Sequence, residues 1–109
     1  MQPRQRHRSW PRISVRWEAR WALGAGSPQL AMLYDISAEG AFLRPQLGAR
    51  LPVGETLSLR LQSPDQRIDL QTQATIRWAG RSLAHGCDGY GVQFETISEE
   101  IDRYIREHS

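Results

Sequence analysis

Three leucines alternate with polar residues in TLSLRLQ (56–62), and the same two-residue period recurs along most of the chain. Successive side chains of a strand point to opposite faces, so each such stretch predicts a half-buried strand. Ile13, Val15 and Trp17 alternate with Ser14, Arg16 and Glu18. After the GAGSP loop come QLAMLYDI (29–36) and GAFLRP (40–45), with a short turn between them. The longest alternation places Ile68, Leu70, Thr72, Ala74, Ile76 and Trp78 on one face, and Gln71, Gln73, Thr75 and Arg77 on the other. LPVGE and SPDQ are turns, AGRSLAHGCDG is expected to be loop, and YGVQFE is the closing strand. The period then changes. Ile101, Tyr104, Ile105 and His108 share a helical face, with Ser98 placed to cap it and Glu99, Glu100 and Asp102 suiting its N-terminal dipole. Six short strands and one helix predict a mainly β fold, a six-stranded antiparallel β-barrel with a C-terminal α-helix.

At 109 residues there is room for one domain, which buries roughly two-thirds of its unfolded surface without needing disulfides. The division expected is a flexible basic arm over 1–12, a barrel over 13–97 and the helix over 98–109. No apolar stretch approaches the roughly 20 residues of a membrane span. WALGAGSPQLAML is too short and too broken by Gly and Pro for a signal core. Cys87 is alone and forms no internal bridge, so a reducing compartment is expected and the protein is read as cytoplasmic. The net charge of +2 conceals an asymmetry. Residues 1–20 hold six arginines against Glu18 alone, whereas the remainder holds eight arginines against eleven acids. The leading segment MQPRQRHRSWP lacks apolar periodicity, which predicts a mobile cationic arm with an affinity for anions. A solvated tail that only aids solubility fits the charge equally well.

Catalytic signatures are weak. His7, His85 and His108 lie far apart, and no zinc spacing, phosphate loop or nucleophile elbow occurs. Asp35, Ser37 and a histidine form a triad only by a spacing common to most chains. His85, beside Gly86, reads as an ordinary loop residue, and Cys87 as a small semi-buried hydrophobe. The expectation is therefore a binding protein, not an enzyme, with no metal and no resident cofactor. Arginine suits an anionic ligand doubly: it pairs with phosphate oxygens or with guanine O6 and N7, and its flat face stacks on a base. Arg8 and Arg12 stand four apart just before the first strand.

DISAEG (35–40) interrupts two apolar runs with an acid, a hydroxyl and a glycine. Asp35 and Ser37 are two residues apart and so project from one face. A carboxylate accepts two parallel donors, as the N1–H and N2–H edge of guanine presents them. Gly40 is expected to supply the positive φ of a tight return. The same residues also suit a plain turn in which both side chains bond nearby backbone.

Arg8-x-x-x-Arg12, then Asp35-x-Ser37-x-x-Gly40, and later GVQF (91–94) together resemble the PilZ domain. The likeness runs from Arg8 to the terminal helix. It includes LPVGETLSLRL, ATIRW and YGVQFETIS, which resemble the family's fourth, fifth and sixth strands. The resemblance implies a six-stranded barrel that binds cyclic di-GMP. Arg8 and Arg12 would grip phosphate and guanine, Asp35 and Ser37 would address a guanine, and Gly40 would shape the turn. Arg4 and Arg8 satisfy the four-residue spacing too, but Ile13 begins the strand directly after Arg12, which favours the later pair. Arg6 is a candidate for a supporting contact. His7 stands where many relatives carry a further arginine, which leaves one ligand or a stacked pair open. Trp78 either lines the nucleotide pocket or is core, and Arg81 either reaches the ligand or is a solvated loop residue. The implied role is a receptor that orders its arm on the ligand and signals to an effector protein still to be identified.

Two other functions compete. One is a protein-interaction module of the same fold that binds no nucleotide. The other is a small barrel for single-stranded nucleic acid, with Arg4, Arg6, Arg8, Trp10, Arg12, Arg16 and Trp17 as a basic and aromatic stripe. Nucleic acid is disfavoured because an acid at position 35 repels a phosphate backbone.

Overall fold

The computed structural model describes residues 10–108. Six strands, β1 (Arg12–Ala22), β2 (Gln29–Ser37), β3 (Gly40–Pro45), β4 (Thr56–Gln62), β5 (Asp69–Ser82) and β6 (Cys87–Phe94), precede helix α1 (Glu99–His108). They pair antiparallel in the order β1-β2-β3-β6-β5-β4, and β4 returns to β1 with Leu59 opposite Trp21. The sheet therefore closes on itself, and among the described residues no edge strand is left unpaired. Alternation decides what is inside. Trp17, Ala19 and Trp21 of β1 and Leu57, Leu59 and Leu61 of β4 all point into the core. In α1, Ile101 and Ile105 are fully buried, four residues apart on the face that docks against the barrel.

Ser98 caps this helix as expected, accepting the Ile101 N–H on its hydroxyl at 3.2 Å. Ser98→Ala should lower stability by about 1 kcal/mol, read as a shifted denaturant midpoint. An unchanged midpoint would mean that water satisfies the first turn equally well.

Three strand pairs depart from simple alternation: β1–β2 between Ser14 and Trp17, and two others that matter for the outer surface. In β2, Leu33 lies opposite Leu43 and Asp35 opposite Phe42, so two steps on β2 match one on β3. The extra residue is a β-bulge, which flips the faces beyond it. Leu33 and Ile36 both point inward, and Asp35 and Ser37 are turned off the barrel interior. Unbroken alternation would have put the acid into the core behind Leu33. The same device recurs in β5, where Ile76 lies opposite Val92 but Trp78 lies opposite Gly91. Ile76 is buried, whereas Trp78 is 46% exposed.

The segment AGRSLAHGCDG is mostly strand, not loop. β5 runs on to Ser82 and β6 starts at Cys87, leaving only 83–86 as a turn. Past the bulge this hairpin leaves the barrel wall and buries neither face fully, so it carries no apolar alternation to reveal it.

Candidate functional site

The two bulges aim Asp35 and Trp78 at one surface cleft of about 370 Å³, lined also by Arg12, Phe42, Arg77 and Gln93. Asp35 is its hub. Arg12, the first residue of β1, donates one guanidinium nitrogen (Nη1) to Asp35 Oδ1 and the other (Nη2) to Ser37 Oγ at 3.3 Å. The Phe42 backbone N–H donates to the same Oδ1 at 3.2 Å, and His85 Nε2 lies 2.8 Å from Oδ2. An ionised carboxylate only accepts, so His85 carries its proton on Nε2 in this contact.

Ser37 is fully buried. Its hydroxyl accepts from Arg12 and from the Glu39 N–H at 3.2 Å and donates to the Gly40 carbonyl at 3.4 Å. One donor and two acceptor positions are all that a hydroxyl has. Ser37 thus shapes the turn and holds Arg12 at once, so the turn and site interpretations of DISAEG describe one arrangement. Among the described residues no serine–histidine–aspartate relay is assembled, because His85 bonds Asp35 while the Ser37 proton is directed to a carbonyl.

Gly40 is needed for a different reason from the one expected. Its φ is not among the positive values. A Cβ there would instead lie 2.2 Å from the Val92 carbonyl oxygen, so the glycine permits close approach of β3 to β6. Gly91 plays the matching part across the cleft, since a Cβ on it would stand 2.0 Å from the Trp78 indole nitrogen. Gly91 thus leaves room for the indole, and Gly89 does the same for the Phe42 ring, whose Cζ would stand 2.7 Å from an added Cβ.

Beside the acid the rings cluster. Tyr34, His85 and Phe42 form a triangle with centres 5.6, 5.7 and 6.4 Å apart, and Phe42 stacks on Trp78 at 5.4 Å. Arg16 covers Tyr34, its guanidinium carbon 4.8 Å from the ring centre. Arg77 also borders the cleft and is tied to Gln93 Oε1 at 2.7 Å.

Of the residues expected from sequence, Arg12, Asp35, Ser37, Gly40 and Trp78 come together here. Trp78 belongs to the cleft and not to the core. Arg81 does not line it; its side chain donates to the Gly86 carbonyl at 3.0 Å and faces Asp88 at 3.9 Å, which braces the β5–β6 turn. Arg4, Arg6, His7 and Arg8 lie outside the described residues. His85 is no ordinary loop residue, with only 12% of its side chain exposed and its ring against Tyr34 and Phe42. Tyr34, Phe42 and His85 were missed, and only the alternating glycines Gly89 and Gly91 signalled an outer face flat enough for rings. Trp17 is buried and meets Tyr104 edge-on at 5.2 Å, which removes it from any exposed nucleic-acid stripe.

A larger groove of about 540 Å³ lies along β1, β4 and β5. Its Arg60 is already engaged by Asp69 through two bonds of 3.0 and 2.9 Å, and among the described residues the one aromatic side chain lining it is Trp21, itself buried. Among the described residues, no cluster of three His, Cys, Asp or Glu side chains is arranged to hold a metal, and no helix is long and apolar enough to cross a membrane.

The family model described as PilZ domain matches residues 2–109. No curated protein matches the chain. Among solved structures, the Bacillus subtilis inhibitor of motility MotI/DgrA superimposes with a TM-score of 0.71 at 16% identity, covering 97% of this chain and 50% of that one. Escherichia coli YcgR in complex with c-di-GMP gives 0.69 at 19% identity, over 93% of this chain and 43% of that one. The PilZ domain of YcgR with c-di-GMP gives 0.64 at 18% identity, over 94% and 88%. The chain therefore spans about half the length of the two longer proteins.

Proposed function

Because the chain belongs to the PilZ domain family, we propose that its Asp35 cleft binds cyclic di-GMP and that the protein is a receptor acting on a partner, not an enzyme. The observation that carries this is the meeting of Arg12, Asp35 and an outward Trp78 in one cleft. Each supplies a different part of what a guanine nucleotide needs. Asp35 accepts the N1–H and N2–H edge of the base. Trp78 offers an open ring face, and stacking of a base on such a ring contributes about 1–3 kcal/mol. Arg12 has a planar fork that suits phosphate or the O6 and N7 edge.

In the free protein Arg12 holds the position on Asp35 that the base would take. Ligand entry is then an exchange. The guanine edge replaces the guanidinium on the carboxylate, and the guanidinium turns to the ligand's own acceptors. Arg8 joins from the arm, with Arg6 and His7 nearby in sequence, and the arm orders over the cleft. That new surface is what an effector protein reads. Ordering the arm offsets part of the gain from each charge-assisted bond, itself about 1.5–3 kcal/mol. We read this action as cytoplasmic, a reading that the lone Cys87 supports.

Calorimetric titration with cyclic di-GMP, GTP and a short oligonucleotide tests the proposal. Saturable binding of cyclic di-GMP in preference to the others is expected, and tight binding of the oligonucleotide alone would overturn it. Affinity should also fall as salt rises, because arginine–phosphate contacts are screened. A flat salt dependence would remove phosphate from the contact set.

A further inference from the structure

The acceptor positions of Asp35 point to a role for His85. A carboxylate offers about four lone-pair sites, two on each oxygen. The Phe42 N–H takes one on Oδ1 and His85 Nε2 takes one on Oδ2, and Arg12 takes the second on Oδ1. Phe42 and His85 belong to the barrel and its β5–β6 turn, and they grip opposite oxygens. Arg12 is the partner free to leave, with 45% of its side chain exposed. Once it does, one site remains on each oxygen, which is what the parallel N1–H and N2–H donors of guanine require.

From this we infer that His85 is a positioning residue that fixes the Asp35 carboxylate plane and thereby sets selectivity for guanine. The inference rests on the cyclic di-GMP proposal above. Without His85, Oδ2 loses its anchor, and the carboxylate rotates about the bond held only at Oδ1. The two-donor match is then no longer prepared in advance. The imidazole itself is well fixed. It packs against both Tyr34 and Phe42, and the His85 backbone N–H donates to Ser82 Oγ at 3.2 Å.

The test compares cyclic di-GMP with cyclic di-inosine monophosphate, which lacks the 2-amino group and so presents only the N1–H donor. His85→Phe keeps an aromatic ring in the stack but removes the donor, and His85→Gln restores an N–H at similar reach. Wild type is expected to prefer the guanine ligand. His85→Phe should reduce that preference about tenfold, the loss of one such hydrogen bond, and His85→Gln should recover most of it. Equal weakening of both ligands in His85→Phe, or an unchanged ratio, would show that His85 only packs and would overturn the inference while leaving the binding proposal intact. Wild type that binds neither ligand would overturn both.

Discussion

Arg12→Ala should abolish measurable cyclic di-GMP binding and leave the barrel folded. Arg12 bridges Asp35 and Ser37 in the free protein, and in the exchange proposed above both of its guanidinium nitrogens pass to the ligand. Losing two charge-assisted bonds of about 1.5–3 kcal/mol each weakens binding by more than about a hundredfold. The fold loses far less. Nearly half of the Arg12 side chain is exposed, and exposed ion pairs contribute at most about 1 kcal/mol. Asp35 keeps His85 and the Phe42 N–H as partners, so no bare charge is left behind. Arg12→Lys should fail nearly as badly, because a point-like ammonium cannot bridge two acceptors as a planar fork does. Circular dichroism beside calorimetry checks both halves. An unfolded Arg12→Ala protein would make Arg12 a structural residue, and undiminished affinity would remove it from the site.

Gly40→Ala has the second large expected effect, and it strikes the fold and the site together. The added methyl would stand 2.2 Å from the Val92 carbonyl oxygen and 3.3 Å from the Gln93 Cα. Those are backbone atoms of the neighbouring strand, so no side-chain rotation relieves the contact. β3 and β6 must separate where Gly40 pairs with Gln93. Overpacking of this kind costs about 1–3 kcal/mol. The shift also moves Phe42, whose N–H holds Asp35 and whose ring supports Trp78. Binding should therefore fall by more than the loss of stability explains. Thermal unfolding and titration of the same variant separate the two effects. A Gly40→Ala protein with wild-type melting temperature would show that the strands are not in the contact described.

How legible this was in the sequence depends on how each feature is encoded. The pattern marked β3 and β4 to their boundaries and β2 within a residue, whereas in β1 the alternation noted from Ile13 to Glu18 stops short of the strand's end at Ala22. The Ser98 cap and the Ile101 and Ile105 pair of α1 were equally plain, since local chemistry determines them. The bulges were invisible. An extra residue leaves the sequence looking regular while reversing every side chain beyond it. Trp78 accordingly fell in line with Ile76 on paper yet turned outward in space. Gly40 was singled out for a positive φ that it does not have, and its close approach to Val92 on a strand distant in sequence has no local signature. His85 lay beyond reach for the same cause. Its meaning comes from Asp35, and only the long-range pairing of β6 with β3, the neighbour of β2, brings the β5–β6 turn to that residue.

The most direct measurement is a cyclic di-GMP titration followed by proton–nitrogen correlation NMR. The indole N–H of Trp78, the backbone N–H of Phe42 and the side chain of Arg12 should shift together and saturate at a common ligand concentration. Signals around Arg20 and Arg60, in the larger groove, should stay still. Saturable shifts confined to that groove, or none anywhere, would contradict the assignment of the Asp35 cleft as the nucleotide site.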